Sequence, residues 1–365
     1  MIPIAQPAIG PEEIAAVKEV LESGMLAQGP KVSELEASFA AYCGTKYAVA
    51  LSSGTAALHT ALLAAGVQAG DEVITTPFSF IATVNTILMV GAKPVLVDID
   101  PKSCNLSASL VEKAVTPQTK AILPVHLYGQ PCDVEQLESI AAKHKLLIIE
   151  DACQAVGATY KNKKAGAFGD FGCFSLYATK NIVSGEGGIV TTNRKEYADA
   201  MKRFRQHGMS GTYEYEHLGY NYRLTDIQAA VAVEQLKKVS DFTQARQANA
   251  ARLDRGLKGV KGLVGPTVLP NRTHVYNQYT IRITKDFPLS RDEVAAKLRE
   301  KGIGAGIYYP KPLHAIPHIA RYGYAPGDFP EAERAAAEVL SLPVHPGVSE
   351  ADIATIVSSV KELAA

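Results

Sequence analysis

The stretch Leu146-Leu147-Ile148-Ile149-Glu150-Asp151 decides the fold, because four apolar residues run without a break into two acids. A short, continuous apolar run of this kind is typical of a strand that is buried on both faces of a parallel sheet. Earlier runs of the same type occur at residues 47–52, 72–76, 95–98 and 121–125, and an amphipathic segment follows each of them. This alternation predicts a mainly parallel sheet with helices on both faces.

The rest of the chain predicts a second, smaller unit. Residues 173–177 and 188–192 read as two adjacent strands, and a long helix runs from Thr225 towards Leu257. After a Gly- and Pro-containing stretch at 262–266, the pattern predicts a strand (278–283), a helix (291–301), a strand (306–309) and terminal helices. We therefore expect a large domain over residues 1–240 and a small C-terminal α/β domain over residues 241–365.

Composition excludes several classes of protein. The 37 Lys and Arg residues balance the 37 Asp and Glu residues, which argues against a broad nucleic-acid or membrane surface. The five cysteines are odd in number and form no CxxC pair, so we expect neither a disulfide framework nor a metal site. The first residues show no signal-peptide pattern, and no apolar run could span a bilayer. We expect a cytoplasmic protein.

Two residues at predicted strand ends indicate the chemistry. Lys180 follows the apolar run 173–177 and precedes Gly185-Glu186-Gly187-Gly188, while Asp151 ends the opening stretch. Ligands of such sheets bind at the carboxyl ends of the strands. Pyridoxal 5′-phosphate (PLP) needs an amine that holds its aldehyde as a Schiff base and an acid that pairs with its ring nitrogen. The alternatives are a surface lysine and a helix cap.

Other residues of the same strand ends extend this hypothesis. Gly54 and Thr55 start a helix after a strand, where free N–H groups bind phosphate, although a simple helix cap is the alternative. Ser175 is a second candidate for phosphate. Phe80, with Phe78 as second choice, could stack on a planar ring unless both are core residues. Gln154 could contact a ring hydroxyl.

Four further residues are candidates for phosphate or substrate contacts. Asn221 and Arg223 lie just before the long helix, whose cap is the alternative role of this segment. Tyr308 and His314 could line a cleft wide enough for a large polar substrate. Loop and interface packing is the alternative for these two.

Five motifs in one order connect the chain with a known family. The chain resembles the DegT/DnrJ/EryC1/StrS family of PLP-dependent aminotransferases through residues 53–55, 150–154, 175–180, 185–188 and 219–230. The resemblance implies fold type I, the aspartate aminotransferase-like α/β fold, and a homodimer with shared active sites. It also implies action on a nucleotide-linked keto-sugar in polysaccharide biosynthesis, with L-glutamate as the amino donor. We favour a 4-keto over a 3-keto sugar because of residues 219–226.

The resemblance also assigns roles to individual residues. Lys180 would form the Schiff base and move the proton, and Asp151 would meet the ring nitrogen. The remaining cofactor contacts would come from Gly54, Thr55, Ser175, Phe80 and Gln154, with Asn221 lent to the neighbouring subunit's phosphate and Arg223 nearby. Lysine at position 180, where the family's sugar dehydratases carry histidine, favours transamination. The alternatives are another fold type I PLP enzyme, such as a dehydratase, and a non-catalytic or regulatory relative.

Overall fold

The computed structural model describes residues 1–365 and contains four β-sheets. The strands are β1 (Tyr47–Leu51), β2 (Glu72–Thr75), β3 (Lys93–Leu96), β4 (Thr119–Ile122), β5 (Leu147–Asp151), β6 (Thr159–Tyr160), β7 (Lys163–Lys164), β8 (Phe171–Ser175), β9 (Gly188–Thr192), β10 (Met209–Gly211), β11 (Glu214–Tyr215), β12 (Leu263–Val264), β13 (Tyr279–Ile283) and β14 (Val339–Leu342).

Twelve α-helices connect and cover these strands. They are α1 (Pro11–Ser23), α2 (Pro30–Cys43), α3 (Gly54–Ala64), α4 (Ala82–Met89), α5 (Ala108–Val111), α6 (Val134–His144), α7 (Lys195–Arg205), α8 (Asp226–Leu257), α9 (Arg291–Glu300), α10 (Pro317–Ala320), α11 (Pro330–Glu338) and α12 (Glu350–Ala364). Three short 3₁₀ turns lie at Glu112–Ala114, Leu127–Gly129 and Leu313–Ala315.

The main sheet has seven strands in the order β1-β9-β8-β5-β4-β2-β3. The pairs from β3 through to β8 are parallel, as the sequence predicts, whereas β9 pairs antiparallel with both β8 and β1. Antiparallel neighbours can be joined by a short link without a crossover helix. The link between β8 and β9 therefore turns back at the carboxyl edge of β8, and Lys180 lies in that link.

Both faces of the main sheet are buried, which explains the uninterrupted apolar strands. On β8, Phe171 and Cys173 pack into one core with α3 and α7, whereas Phe174 points into the opposite core with α2 and α8. On β9, Ile189 and Val190 divide between the same two cores. Successive side chains of a strand point to opposite faces, so a strand covered on both sides needs apolar residues throughout.

A smaller antiparallel sheet, β12-β13-β14, forms a separate core with α9, α12 and the end of α8. Leu253 on α8, Ile281 on β13, Leu340 on β14 and Ile356 on α12 are all buried in this core. The first half of α8 packs instead against α1 and α2. The domain boundary predicted after residue 240 falls within α8 and stays a prediction.

One predicted strand is wrong. Residues 306–309 form a single antiparallel bridge, between Gly306 and Ser341, rather than a strand. The prolines at positions 310 and 312 have no N–H to donate, so strand pairing cannot extend through this segment. The chain turns instead towards the carboxyl edge of the main sheet. No helix of the structure is both long enough and apolar enough to cross a membrane.

Candidate active site

A cavity of about 560 Å³ opens at the carboxyl edge of β5 and β8 and at the start of α3. Eight of the predicted site residues line it: Gly54, Thr55, Phe80, Asp151, Gln154, Ser175, Lys180 and Tyr308. They come from distant parts of the chain and meet because parallel strands deliver their carboxyl ends to one edge. Lys180 is the only cation among the lining residues, and Asp151 and Glu186 are the only acids.

The start of α3 forms one end of the cavity. Ser53 caps the helix, since its hydroxyl oxygen accepts a hydrogen bond from the N–H of Ala56 at 3.1 Å. A Cβ at Gly54 would lie 2.8 Å from the Cβ of Ser175 and 3.1 Å from the sulfur of Cys153. Real Cβ atoms essentially never come within 3.0 Å of a heavy atom outside their own residue and its two chain neighbours. Only glycine at position 54 therefore allows Ser175 to pack against the N-terminus of α3. The free N–H groups at this terminus favour an anion.

Asp151 presents a buried carboxylate to the same cavity. Its side chain is held at both oxygens: the hydroxyl of Thr83 donates to Oδ2 at 2.8 Å, and the N–H of Cys153 donates to Oδ1 at 3.2 Å. The Thr83 hydroxyl is itself 2.8 Å from that of Ser79. A carboxylate can accept further hydrogen bonds beyond these two. Asp151 is thus fixed in orientation and still able to receive a cationic N–H.

Lys180 projects into the cavity from the link between β8 and β9. Burial lowers the pKa of its amine, while the nearby Cys153 and Asp151 act in the opposite direction. A lowered pKa increases the neutral, nucleophilic fraction of the amine. Burial also raises the pKa of the Cys153 thiol well above its usual range, which makes this cysteine a poor nucleophile. Of these two groups, the amine of Lys180 is therefore the better candidate for a nucleophile in this cavity.

The amide of Gln154 is held at both ends. The backbone N–H of Tyr128 donates to its Oε1 at 2.8 Å, and its Nε2 donates to the hydroxyl of Tyr309 at 3.2 Å. Burial raises the pKa of the Tyr309 phenol, so the hydroxyl stays protonated. Tyr128 also donates its own hydroxyl to the carbonyl of Tyr308. These contacts leave one N–H of Gln154 available to a ligand.

The two phenylalanines in the segment between β2 and α4 have different environments. Phe78 is fully buried in the core, whereas Phe80 is 54% exposed and lines the cavity. The ring of Phe80 lies 6.1 Å from that of Tyr309, at an interplanar angle of 39°. Phe80 is thus the aromatic side chain in this segment that a planar ligand can reach.

Three predicted site residues do not line the cavity. Asn221 is exposed and pairs through its backbone with Gln206, and Arg223 is partly buried outside the lining. His314 is 2% exposed, and its Nε2 lies 2.9 Å from Oε1 of Glu333. Its ring packs against Phe329. A substrate contact for His314 therefore has no support from this cavity.

Several lining residues were not predicted. Asn277, Gln278 and Glu186 belong to this group. Asn277 is 6% exposed, and its Oδ1 has no hydrogen-bond partner. A buried polar atom left unpaired costs about 1–3 kcal/mol. Asn277 lies in an irregular segment before β13, where no periodic pattern signals its position.

Glu150, which precedes Asp151 in the chain, has a structural role. It is fully buried, and its two oxygens accept from the N–H groups of Gly166, Phe168 and Gly169 at 2.7–2.9 Å. The N–H of Cys132 donates to Nδ1 of His126 at 3.2 Å, so this imidazole carries its proton on Nε2, which lies 3.0 Å from Glu150 Oε2. Adjacent residues of β5 point to opposite faces, which separates this structural acid from Asp151.

The residues of the cavity fit PLP. The anion-favouring helix start with Gly54, the oriented buried Asp151 and the nucleophilic Lys180 match a phosphate, a ring nitrogen and an aldehyde. Gln154 and Phe80 provide a hydrogen-bond donor and an aromatic face.

Comparison with known proteins gives the same family that the motifs indicate. The model of the DegT/DnrJ/EryC1/StrS aminotransferase family matches residues 7–361. The pleiotropic regulatory protein of Geobacillus stearothermophilus is 44% identical, over 96% of this chain and 94% of its own. GDP-perosamine synthase of Caulobacter vibrioides is 39% identical, over 99% and 98%. The UDP-2-acetamido-2-deoxy-3-oxo-D-glucuronate aminotransferase of Pseudomonas aeruginosa is 39% identical, over 94% and 93%.

Solved structures share the whole fold. DesV of S. venezuelae, determined in complex with a ketimine intermediate, superposes with a TM-score of 0.93 at 38% identity, covering 97% of this chain and 94% of that one. Spr1654 of Streptococcus pneumoniae in its PLP form gives a TM-score of 0.94 at 29% identity, covering 100% and 98%. The predicted α/β fold of the PLP-dependent aminotransferases is confirmed.

Proposed function

The chain belongs to the DegT/DnrJ/EryC1/StrS aminotransferase family, and we propose that it transfers an amino group from L-glutamate to a nucleotide-linked keto-sugar. It is a PLP-dependent aminotransferase. One observation carries the proposal: the buried acid Asp151 and the amine of Lys180 line one cavity with a helix N-terminus suited to phosphate. In the overall exchange L-glutamate becomes the 2-keto acid, and the sugar ketone becomes an amine.

Each residue has a defined task in this proposal. When bound, PLP supplies an aldehyde that takes up amino groups and a ring that withdraws electrons. Lys180 would hold the cofactor through its amine, and its neutral Nζ would serve as the base that takes a proton from the donor's α-carbon. A positioned base of this kind contributes about 10²–10⁴-fold to the rate. Asp151 keeps a proton on the ring nitrogen, and Thr83 fixes the orientation of this carboxylate.

The remaining cavity residues bind and orient the cofactor. Gly54, Thr55 and Ser175 would bind the phosphate, Gln154 would donate to the ring oxygen, and Phe80 would stack on the ring, since all five line the cavity. The exposed edge of Phe80 and the aromatic pair Tyr308 and Tyr309 leave room for a large polar acceptor. Of the residues predicted to contact the substrate, Tyr308 is the one that we propose contacts the sugar.

The proposed class of acceptor substrate is based on the names of the relatives. Two relatives of about 39% identity carry names that refer to nucleotide sugars, one of them GDP-linked and one UDP-linked. We favour a 4-keto acceptor because of the residues 219–226, although the Pseudomonas relative is named for a 3-oxo sugar. A role in polysaccharide biosynthesis agrees with the name of a further relative, the spore coat polysaccharide biosynthesis protein SpsC.

We also propose a homodimer in which each subunit completes the other's site. Asn221 is exposed and lies outside its own cavity, as a residue lent to a partner's phosphate should. Arg223, two residues on, is the second candidate for this contact. A cytoplasmic location stays a prediction from composition.

A regulatory role is the second candidate function, because the relative at 44% identity is named a pleiotropic regulatory protein. A sugar dehydratase is the third, and lysine rather than histidine at position 180 weighs against it. A two-stage assay separates the three. L-Glutamate should convert the PLP absorbance of the purified protein to that of the amino form, and a panel of 3-keto and 4-keto UDP-, GDP- and dTDP-sugars should restore it.

The sugar product should gain an amino group, which mass spectrometry reads directly. Lys180→Ala should abolish both stages, because it removes the cofactor's attachment and the base together. No spectral change with any amino acid would favour the regulatory protein. A sugar that loses water without gaining nitrogen would favour the dehydratase.

A further inference from the structure

We propose that the side-chain amide of Asn277 binds a hydroxyl group of the acceptor sugar, an inference that rests on the proposed function. Asn277 lines the cavity that contains Lys180 and is 6% exposed. Its Oδ1 has no hydrogen-bond partner within the chain. Buried polar atoms of native proteins are nearly always paired, so this acceptor atom is kept for a group that arrives with a ligand.

The position of Asn277 is set by the same contacts that hold the reactive residues. A Cβ at Gly129 would lie 3.0 Å from the backbone N of Asn277 and 3.1 Å from the carbonyl of Gln154. Asn181, which follows Lys180, donates its Nδ2 to the carbonyl of Val275 at 2.9 Å. The segment 275–277 therefore packs between the Lys180 link and Gln154, and the backbone of Asn277 is held close to the reacting groups.

The chemistry of the amide favours a hydroxyl over a carboxylate. An amide offers both an acceptor oxygen and N–H donors, and a hydroxyl also donates and accepts. A carboxylate only accepts, so it would leave Oδ1 unpaired. It would also meet the two acids of the cavity, Asp151 and Glu186. L-Glutamate carries no hydroxyl, and its only amine is the group that is transferred, whereas a sugar carries several hydroxyls, so the amide should act on the acceptor alone.

Two variants measured in separate half-reactions test this inference. Asn277→Ala removes the amide without adding a charge, and Asn277→Leu removes all hydrogen bonding at similar volume. With L-glutamate, both should convert the cofactor absorbance at the wild-type rate. The nucleotide keto-sugar that serves the wild-type protein should then react with a KM raised about 10- to 100-fold, the loss of one or two hydrogen bonds.

A stability measurement distinguishes binding from packing. Because Asn277→Leu removes an unpaired buried oxygen, its melting temperature without ligand should equal or exceed that of the wild type. Equal slowing of both half-reactions, an altered cofactor spectrum or a lowered melting temperature would overturn the inference, as would an unchanged KM for the sugar. A wild-type protein that accepts no sugar of the panel would overturn the proposed function and the inference with it.

Discussion

At the scale of single residues, the space around Gly54 decides whether the phosphate end of the cavity can form. A methyl group at this position would overlap Ser175, whose Cβ cannot move without moving β8. Gly54→Ala should cost about 1–3 kcal/mol of stability, as overpacking does. It should also weaken PLP binding about tenfold or more, as titration of the cofactor absorbance would show.

The matched control for this change is Gly265→Ala. Position 265 is exposed, and a Cβ there would find its nearest neighbours at 3.7 and 3.9 Å. This variant should bind PLP as the wild type does, because added methyl groups in open space cost little. Equal PLP affinity in both variants would show that the contact between Gly54 and Ser175 does not shape the site.

Lys180 gives a prediction for the pH dependence of stability. Burial lowers the pKa of Lys180 in the folded protein below its usual value of 10.5, so the unfolded chain binds the proton more readily. This penalty on the folded state is full below the folded pKa, shrinks as the pH rises through it, and vanishes above about 10.5. Without PLP, Lys180→Met should therefore be more stable than the wild type at pH 7.

Urea denaturation of both proteins across the pH range measures this difference. The advantage of Lys180→Met should fade as the pH approaches the unfolded pKa of lysine. A stability difference that stays constant from pH 7 to above pH 10 would contradict the burial of the amine.

At the scale of elements, Glu150 attaches the segment before β8 to the end of β5. Its carboxylate accepts three backbone N–H groups and the imidazole N–H of His126 in a fully buried setting. Glu150→Gln removes the charge and turns an NH₂ group towards these donors. We expect a loss of about 3–5 kcal/mol in urea denaturation, as for other broken buried charge networks.

Glu138→Gln is the control for this loss, because Glu138 is 42% exposed and lies 3.8 Å from Lys163. Its change in stability should stay within about 0.5 kcal/mol. A loss for Glu150→Gln as small as that of the control would mean that the carboxylate does not hold this segment.

Elements with strong local signals could be predicted from the sequence, and those that depend on partners could not. The bounds of β9 and α8 agree with the strand predicted at residues 188–192 and with the long helix predicted from Thr225 towards Leu257. The strand expected at 95–98 instead spans Lys93–Leu96, because its register follows the pairing of Lys93 with Glu72. The short strand β14 was missed, although its partner β13 was predicted at residues 278–283, because strand pairing between distant segments leaves little local trace.

For the site as well, residues with a local signal could be predicted from the sequence, and residues without one could not. Lys180, Asp151 and Gly54 stand at strand ends, where the alternation of strands and helices points to a ligand. Thr83 contacts Asp151 from a helix, and Asn277 lines the cavity from an irregular segment. Their spacing from Lys180 in the sequence carries no information, because only the folded chain brings them together.

At the scale of the whole molecule, shared active sites predict complementation between two inactive variants. If Asn221 serves the partner's cofactor, Lys180→Ala and Asn221→Ala should each be nearly inactive alone. A mixed dimer contains one site with the intact Lys180 of one subunit and the intact Asn221 of the other. Unfolding and refolding the two variants together at equal amounts should therefore restore about a quarter of the wild-type activity, because about half of the dimers are mixed.

If Asn221 acted within its own subunit, no mixed dimer would contain an intact site, and the refolded mixture would stay inactive. Refolding each variant alone is the control for recovery. A protein that migrates as a monomer in size exclusion would contradict the dimer itself.

Covalent labelling tests most directly the central claim that the amine in the cavity captures the cofactor. The purified protein is incubated with PLP, reduced with borohydride and digested with a protease, and the peptide masses are measured by mass spectrometry. The added mass should lie on the peptide containing Lys180, and Lys180→Ala should take up none. A label on another lysine, or equal labelling of the variant, would contradict the claim.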